Sequence, residues 1–209
     1  MKHGAQVAGI LLGLLLPWQW RRRRRRRRRR HDRSPRQVLK PNEVVVVLER
    51  CSDPRNYERI LKVCLALGVS KVWDVKPIAY KKRSARNPQE EGNVDELERR
   101  LDVRRFETPR HFLDECRDLK LAVWATDLSQ RAVALSTAMH GWSVACQGPE
   151  ATKKDAAGIA LVFGREVDGV TQTVLDEADE RVYFPLHGFS DSLNVSTSVA
   201  LILDSILAG

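Results

Sequence analysis

Apolar positions follow two alternating patterns from residue 41 onward. Short apolar and β-branched runs, typical of strands buried on both faces, occupy residues 44–48, 71–75, 104–106, 121–126, 159–163 and 182–184. Helical spacing predicts helices over residues 55–67, 94–101, 109–118 and 171–178, from Asp127 or Ser129 to Met139, and from Leu193 to the end. Residues 76–100 are polar and predict a long surface loop, with the short helix at 94–101 near its end. The alternation predicts an α/β fold with a mostly parallel sheet, helices on both faces, and a ligand site at the carboxyl ends of the strands.

The first 40 residues have a different composition and predict a separate, disordered extension of a folded domain that covers residues 41–209. Residues 5–16 are nearly all apolar, but this run is shorter than the roughly 20 residues that span a bilayer. Residues 21–30 are ten consecutive arginines, which cannot pack against one another. Three interpretations stay open: organellar targeting to a plastid or mitochondrion, an RNA-tethering arm of a cytoplasmic or nucleolar protein, or an extension without a selected role.

The net charge of the whole chain does not describe the folded domain, because many of the basic residues lie in the first 40 positions. The whole chain has 36 Lys and Arg against 27 Asp and Glu, a formal charge of +9. Removing residues 1–40 takes away 14 basic groups and one acidic group, which leaves 22 basic and 26 acidic groups. Any nucleic-acid surface of the folded domain must therefore be a local patch. A content of 43% hydrophobic and 30% charged residues excludes a multi-span membrane protein, and we expect no membrane partner for the folded domain.

The four cysteines do not have the spacing of a zinc site. Cys51, Cys64, Cys116 and Cys146 form no C-x-x-C pair and have no histidine at ligand spacing. We therefore expect no metal. Cys64, among apolar neighbours, is expected to be a small buried hydrophobe.

Three polar loops follow predicted strands and provide the candidate chemistry. The glycine-rich signatures of dinucleotide and nucleoside triphosphate sites, G-x-G-x-x-G and G-x-x-x-x-G-K-[ST], are missing from the chain. The three loops are residues 53–56, with the sequence Asp-Pro-Arg-Asn, residues 163–169 and residues 185–194. In a parallel sheet, the ends of these strands meet at one edge, which is where a ligand would bind.

In order and spacing these loops resemble the three motifs of the SpoU–TrmH branch of the SPOUT RNA methyltransferases. Residues 161–166 with Gly169 are similar to the family's L-V-F-G-x-E-x-x-G, and residues 185–188 with 192–196 resemble its third motif most closely. The first motif is close to N-x-x-A-I-x-R in the family. Here Asn56 and Ile60 match it, Arg59 stands where a small residue is usual, and Lys62 takes the place of the arginine that the family uses to activate the ribose hydroxyl.

The resemblance covers the chain from about residue 43 to the end. It implies a carboxyl-terminal trefoil knot, S-adenosylmethionine as cofactor, and a homodimer in which the knot region and last helix of each subunit meet. The implied activity is 2′-O-ribose methylation of structured RNA, preferentially tRNA at a guanosine. Alternatives are methylation of rRNA, a catalytically impaired SPOUT domain that serves as an RNA-binding scaffold, and a general small-molecule α/β enzyme.

The resemblance also assigns site residues, each of which has a simpler structural alternative. Ser192 and Asn194 could only cap the last helix, and Asn56 could cap the first. Glu166 could be a solvated loop charge, and Lys62 a solvated helix residue. The implied catalytic residues are Asn56, Lys62, Glu166, Ser192 and Asn194, and the implied cofactor-binding residues are Thr126, Gly164, Leu186, Gly188 and Leu193.

Overall fold

A computed structural model describes Lys40 and residues 43–76, 88–147, 156–188 and 192–208. The predicted extension therefore lies outside the described residues, except for Lys40. The strands are β1 (Val44–Glu49), β2 (Lys71–Val75), β3 (Asp102–Phe106), β4 (Leu121–Thr126), β5 (Val133–Ala134), β6 (Gly158–Phe163) and β7 (Glu180–Tyr183). The helices are α1 (Pro54–Leu67), α2 (Pro88–Arg99), α3 (Pro109–Asp118), α4 (Leu135–Gln147), α5 (Gln172–Glu177) and α6 (Val195–Ala208).

The seven strands form one sheet in the order β3-β2-β1-β6-β4-β7-β5, and every pairing within it is parallel. The central strands β1 and β6 are buried along their whole length, as their unbroken apolar runs predict. Side chains alternate between the faces: Val46 packs in a cluster with residues of α1, α4 and α6, and Val47 in a cluster with residues of α3 and α5. The predicted α/β class is confirmed, whereas the trefoil knot stays a prediction.

Helix α1 starts directly after β1 because its capping residues fix the turn. The Asp53 side chain accepts a hydrogen bond of 2.9 Å from the Arg55 backbone N–H, and Pro54 occupies the first turn. Gly68 ends the helix with φ 81°, in the left-handed region that glycine adopts without strain. Because α1 follows the carboxyl end of β1, its first turn, which contains Asn56, lies at the carboxyl edge of the sheet.

Cys64, farther along α1, is completely buried in the core, as predicted, and burial raises the pKa of its thiol to about 12.

The predicted helix from Asp127 or Ser129 to Met139 is wrong in its position. The Asp127 carboxylate accepts a 3.0 Å hydrogen bond from the Ser129 backbone N–H and closes a turn there instead of capping a helix. Val133 then pairs with Val182 of β7, and α4 begins only at Leu135. A two-residue strand has no periodicity to detect, which is why the pattern missed β5. Helix α2 is also longer than predicted and starts at Pro88, while residues 77–87 of the predicted loop lie outside the described residues.

A polar cluster lies between β2, β3, α1 and α2, away from the loops discussed below. The Tyr57 hydroxyl and an Arg105 Nη2 each donate to Glu98 Oε1 at 2.7 Å. Asp74 is 2% exposed, and its Oδ1 has no hydrogen-bond partner among the described residues. Burial raises the pKa of the Asp74 carboxyl to about 6, against the opposing charge of Arg105. Among the helices of the described segments, none combines the length and apolar character needed to cross a membrane.

Candidate functional site

A cavity of about 410 Å³ opens at the carboxyl edge of the sheet, between the ends of β4, β6 and β7 and the start of α6. Its size is within the range of small-molecule sites. Polar residues lie beside apolar ones around it. The apolar wall includes Phe163, Val170, Val182, Phe184 and Ile202. Such a wall suits the flat face of an aromatic ring system, and the polar residues can fix its orientation.

The loop that follows β6 folds back on itself more tightly than a side chain at 164 would allow. A Cβ added at Gly164 would lie 2.0 Å from the Gly169 carbonyl carbon. Arg165 and Gly169 exchange two backbone hydrogen bonds, of 3.2 and 2.9 Å, and Gly169 has φ +63°. Residues 164–169 thus form a tight loop that only glycine at 164 permits. By contrast, a Cβ added at Gly188 would meet no atom within 4 Å.

The residues at the end of β1 hold this loop in place. Arg50 donates from Nη1 to Asp168 Oδ2 at 2.8 Å and from Nη2 to the Gly169 carbonyl at 3.0 Å. The fully buried Glu49 accepts hydrogen bonds from the backbone N–H of Thr171, at 2.7 Å, and from the Thr171 hydroxyl. The sequence reasoning missed Arg50 and Asp168. Their one signal was that Arg50 directly follows a buried parallel strand, at the edge where such folds bind ligands.

Three of the predicted catalytic residues meet in one hydrogen-bond network. Glu166 Oε1 accepts from Asn194 Nδ2 at 2.6 Å, from Asn56 Nδ2 at 3.3 Å and from the Val195 backbone N–H at 3.3 Å. Asn194 Nδ2 also donates to Asn56 Oδ1 at 3.1 Å. The network joins α1, the loop after β6 and the start of α6, so the Glu166 carboxylate, although exposed, is held by three hydrogen bonds.

Asn194 also has the structural role that its residue type suggests. Its Oδ1 accepts a 3.0 Å hydrogen bond from the Ser196 backbone N–H and a 2.6 Å bond from the Ser196 hydroxyl at the first turn of α6. The amide therefore caps the helix with its oxygen and binds the network with its nitrogen. The structural and functional interpretations of Asn194 are compatible.

A second, smaller cavity of about 90 Å³ adjoins the first and has a more polar lining. Asn56, Asp53 and Cys51 line it on the α1 side. The two cavities share one wall, made of Phe163, Gly164, Arg165, Glu166, Val167 and Val195. A ligand in the large cavity and a second ligand in the small one would therefore both lie against this wall, which includes Glu166.

The predicted cofactor-binding residues divide into two groups. Four of the five line the large cavity, as does Ser192, and these four are Thr126, Gly164, Leu186 and Leu193. Thr126 uses its hydroxyl to donate to the Val162 carbonyl at 3.0 Å, so this donor is already engaged with the sheet. Gly188 lines neither cavity.

Asp127, at the end of β4, adds a negative charge to the rim of the large cavity. Burial alone would raise the pKa of its carboxyl, but hydrogen bonds from Ser129 and the charge of Arg181 outweigh burial and lower it. Arg181 Nη1 lies 3.7 Å from Asp127 Oδ2. The rim therefore carries a carboxylate that can accept hydrogen bonds from ligand hydroxyl groups.

Lys62 lies apart from these residues. Its Nζ donates to Glu58 Oε1 at 2.6 Å, its side chain is 52% exposed, and it lines neither cavity. It follows Asn56 by six positions, which at 100° per residue turns its side chain about 120° away from the face that carries Asn56. Its catalytic role stays a prediction that this geometry does not support.

The chain is similar to proteins that modify RNA. The model of the SpoU rRNA Methylase family matches residues 43–204. The tRNA (guanosine(18)-2′-O)-methyltransferase of Borreliella burgdorferi is 24% identical over 169 residues, which cover 81% of this chain and 68% of that protein. The TrmH/SpoU tRNA modifying enzyme of A. aeolicus superimposes with a TM-score of 0.60 at 23% identity, over 80% of this chain and 75% of that one. An AdoMet-bound rRNA methyltransferase from Sinorhizobium meliloti gives a TM-score of 0.59 at 21% identity, over 82% and 57% of the two chains.

Proposed function

The chain belongs to the SpoU rRNA methylase family, and we propose that it methylates a ribose 2′-hydroxyl of tRNA. Membership confirms the resemblance found in the motifs and makes the chain an S-adenosylmethionine-dependent RNA 2′-O-methyltransferase. A tRNA substrate is supported by the name of the Borreliella relative, and rRNA is the alternative. The observation that carries the proposal is the hydrogen-bond network of Asn56, Glu166 and Asn194, in which Glu166 belongs to the wall between two adjoining cavities.

The large cavity fits the adenosyl part of S-adenosylmethionine. Glycine at 164 lets the 164–169 loop close tightly on itself, since a Cβ there would overlap the Gly169 backbone, and this closed loop forms one wall of the cavity. Thr126, Leu186 and Leu193 would surround the adenosine together with the apolar wall, and the Asp127 carboxylate could accept hydrogen bonds from its hydroxyl groups. When bound, the cofactor supplies an electrophilic methyl group on a sulfonium sulfur.

The chain's own residues orient the acceptor and take its proton. The three hydrogen bonds to Glu166 Oε1 fix the carboxylate, so that Oε2 can accept the proton that leaves the ribose hydroxyl. Asn56, which lines the small cavity, can hold the ribose beside that carboxylate. Held in this way, the hydroxyl oxygen would face the methyl group that a bound cofactor supplies. Positioning of this kind accounts for much of the rate acceleration in such transfers.

The test is transfer of a radiolabelled methyl group from S-adenosylmethionine to unmodified tRNA and rRNA transcripts by the full chain. We expect label in tRNA, at a ribose position that resists alkaline cleavage. Label in rRNA alone would assign the alternative substrate. Absence of transfer to either RNA, in a chain that binds S-adenosylhomocysteine, would instead establish a catalytically impaired domain.

That second candidate, an RNA-binding scaffold, is favoured by one observation. Lys62 stands at the position of the family's arginine but is paired with Glu58 outside both cavities. The motif predicts that Lys62→Ala abolishes methyl transfer and that Lys62→Arg equals or exceeds the wild type. Loss with alanine and retention with arginine would assign the cation's role to Lys62. Full transfer by both variants would make it a solvated helix residue.

The homodimer is likewise a proposal. Val199, Ile202, Leu203 and Ile206 of α6 are buried within their own chain, while Leu201 is more than one third exposed. The apolar content of α6 is thus largely accounted for without a partner, and support for a dimer rests on the family resemblance. Sedimentation of the full chain at micromolar concentration tests it, and a single monomeric species would reject it. An organellar location stays a prediction from the extension.

A further inference from the structure

Arg165 is the one cationic residue in the lining of either cavity within the described ranges. It belongs to the wall that the two cavities share, next to Glu166, and its side chain is one third exposed. The family motif L-V-F-G-x-E-x-x-G leaves this position variable, so nothing in the motif assigns it a role. An acceptor nucleotide that reaches the large cavity from the small one would, however, have to lie against Arg165.

The contacts of Arg165 leave its charge only partly compensated. Its Nη1 lies 3.4 Å from Asp168 Oδ2, the same oxygen that Arg50 contacts at 2.8 Å. Arg50 is the better partner of that carboxylate, because it also donates to the Gly169 carbonyl and its side chain is 16% exposed. Two guanidinium groups therefore share one carboxylate. The charged groups that line the cavities are otherwise carboxylates, so the Arg165 guanidinium, the more exposed of the two, is the one charged group in these linings that attracts a phosphate.

From this arrangement we propose that Arg165 binds the RNA phosphate that flanks the methylated ribose, with Asp168 and Arg50 as positioning residues. The proposal rests on the proposed function, since it needs an RNA acceptor in the small cavity. A planar guanidinium matches two phosphate oxygens at once, which a lysine ammonium does not. Arginine keeps its proton at all ordinary pH values, so Arg165 orients the nucleotide and leaves the proton transfer to Glu166. The Asp168 carboxylate limits how far the guanidinium can swing away from the shared wall.

The test compares Arg165→Gln and Arg165→Lys with Arg100→Gln. Arg100 is an exposed arginine that pairs with Glu96 just before β3, at the opposite edge of the sheet, and removing it changes the net charge equally. Three quantities are measured for each full-length variant: KM and kcat for methyl transfer to tRNA, the salt dependence of tRNA affinity, and the Kd for S-adenosylhomocysteine. Affinity and cofactor binding need no catalysis, so they remain informative if the wild type transfers no methyl group.

We expect Arg165→Gln to raise KM for tRNA about tenfold or more, the loss typical of a hydrogen-bonded charge pair. The slope of log affinity against log salt should become shallower by about 0.9, as for one lost phosphate contact. The Kd for S-adenosylhomocysteine should stay within about twofold, and kcat should fall less than KM rises. Arg165→Lys should keep most of the salt slope and still raise KM severalfold, because it retains the charge and loses the planar geometry. Arg100→Gln should match the wild type.

Wild-type KM and salt slope in Arg165→Gln would overturn the inference. So would equal losses of tRNA and S-adenosylhomocysteine binding, which would mean that Arg165 only maintains the loop. If Arg165→Gln does not fold, Arg165→Lys decides: a raised KM with an unchanged cofactor Kd supports the inference, and an unchanged KM rejects it. An inactive wild type whose salt slope still depends on Arg165 would reject the proposed methylation and keep Arg165 as a phosphate-binding residue.

Discussion

Asn194 Nδ2 donates a 2.6 Å hydrogen bond to Glu166 Oε1, across 28 positions of sequence. This bond connects the residue that caps α6 to the loop that follows β6. The orientation of the Glu166 carboxylate is therefore set by the start of the last helix. The same carboxylate oxygen also accepts from α1, so three separate segments must be in place before the site exists.

Replacing Glu166 by glutamine should separate orientation from proton transfer. The amide keeps the shape of the side chain and an oxygen that accepts hydrogen bonds, but it cannot take a proton from the ribose hydroxyl. We expect kcat for methyl transfer to fall about 100-fold or more, with the Kd for S-adenosylhomocysteine changed less than threefold. Calorimetric titration and initial rates measure the two quantities. A kcat within threefold of the wild type would remove Glu166 from the chemistry.

Gly164→Ala should damage the large cavity directly. The added Cβ would lie 2.0 Å from the Gly169 carbonyl carbon, so the loop must move or the substitution must strain it. We expect a loss of about 1–3 kcal/mol in the free energy of unfolding and at least tenfold weaker binding of S-adenosylhomocysteine. Gly141→Ala in α4 is the matched control, because a Cβ there meets no atom within 4 Å and alanine favours helix. If the two variants have the same free energy of unfolding and the same Kd for S-adenosylhomocysteine, the 164–169 loop accommodates a Cβ at 164 without cost.

Arg50 should matter for cofactor binding although it lines neither cavity. Arg50→Met removes the contacts with Asp168 and the Gly169 carbonyl, so the 164–169 loop loses the hydrogen bonds that hold it to the end of β1. We expect the free energy of unfolding to drop by about 2 kcal/mol and the Kd for S-adenosylhomocysteine to rise at least fivefold. A double-mutant cycle with Asp168→Asn, followed by chemical denaturation, measures the coupling. A coupling energy near zero would show that the two side chains act independently.

Asp74 should make the stability of the folded domain depend on pH. Its pKa in the folded state, about 6, is above the usual value of an aspartate, so the folded chain binds the proton more tightly than the unfolded chain. The wild type should therefore lose stability as the pH rises from about 4 through 6. Asp74→Asn should be more stable than the wild type at pH 8, by up to about 3 kcal/mol, and this advantage should disappear near pH 4.

Urea denaturation at several pH values measures that difference. Asp95→Asn, on the exposed side of α2, is the control and should show no comparable pH dependence. If the free energies of unfolding of Asp74→Asn and the wild type differ by the same amount from pH 4 to pH 8, Asp74 is not the titrating group. The result bears on stability alone, because Asp74 lines neither cavity.

The sequence predicted the strands well because burial on both faces leaves an unmistakable apolar run. Val44–Glu49 and Gly158–Phe163 are examples, and both strands lie at the centre of the sheet. The short strand Val133–Ala134 has no such pattern and depends on its pairing with β7, so it could not be predicted locally. The same applies to α4, whose start is displaced by the turn at Asp127.

The site was predictable only where the family motifs mark it. Asn56, Glu166 and Asn194 came from those motifs, and their contacts span 110 and 138 positions, beyond the reach of any local pattern. Arg50 lies outside the motifs and Asp168 occupies a variable position of the second one, so their contact across 118 positions was missed. The role of Lys62 stays a prediction from its motif position, since such a position alone does not say which way a helix turns its side chain.

The wall between the two cavities links whatever occupies them. Since residues 163–167 face both spaces, any shift of that wall on filling one cavity changes the shape of the other. Thermodynamic linkage then requires reciprocity: if S-adenosylhomocysteine alters the affinity for RNA by some factor, RNA alters the affinity for S-adenosylhomocysteine by the same factor. If the coupling is favourable, the spent cofactor and the methylated RNA each strengthen the binding of the other at the end of a turnover. If it is unfavourable, each weakens the binding of the other and favours its release.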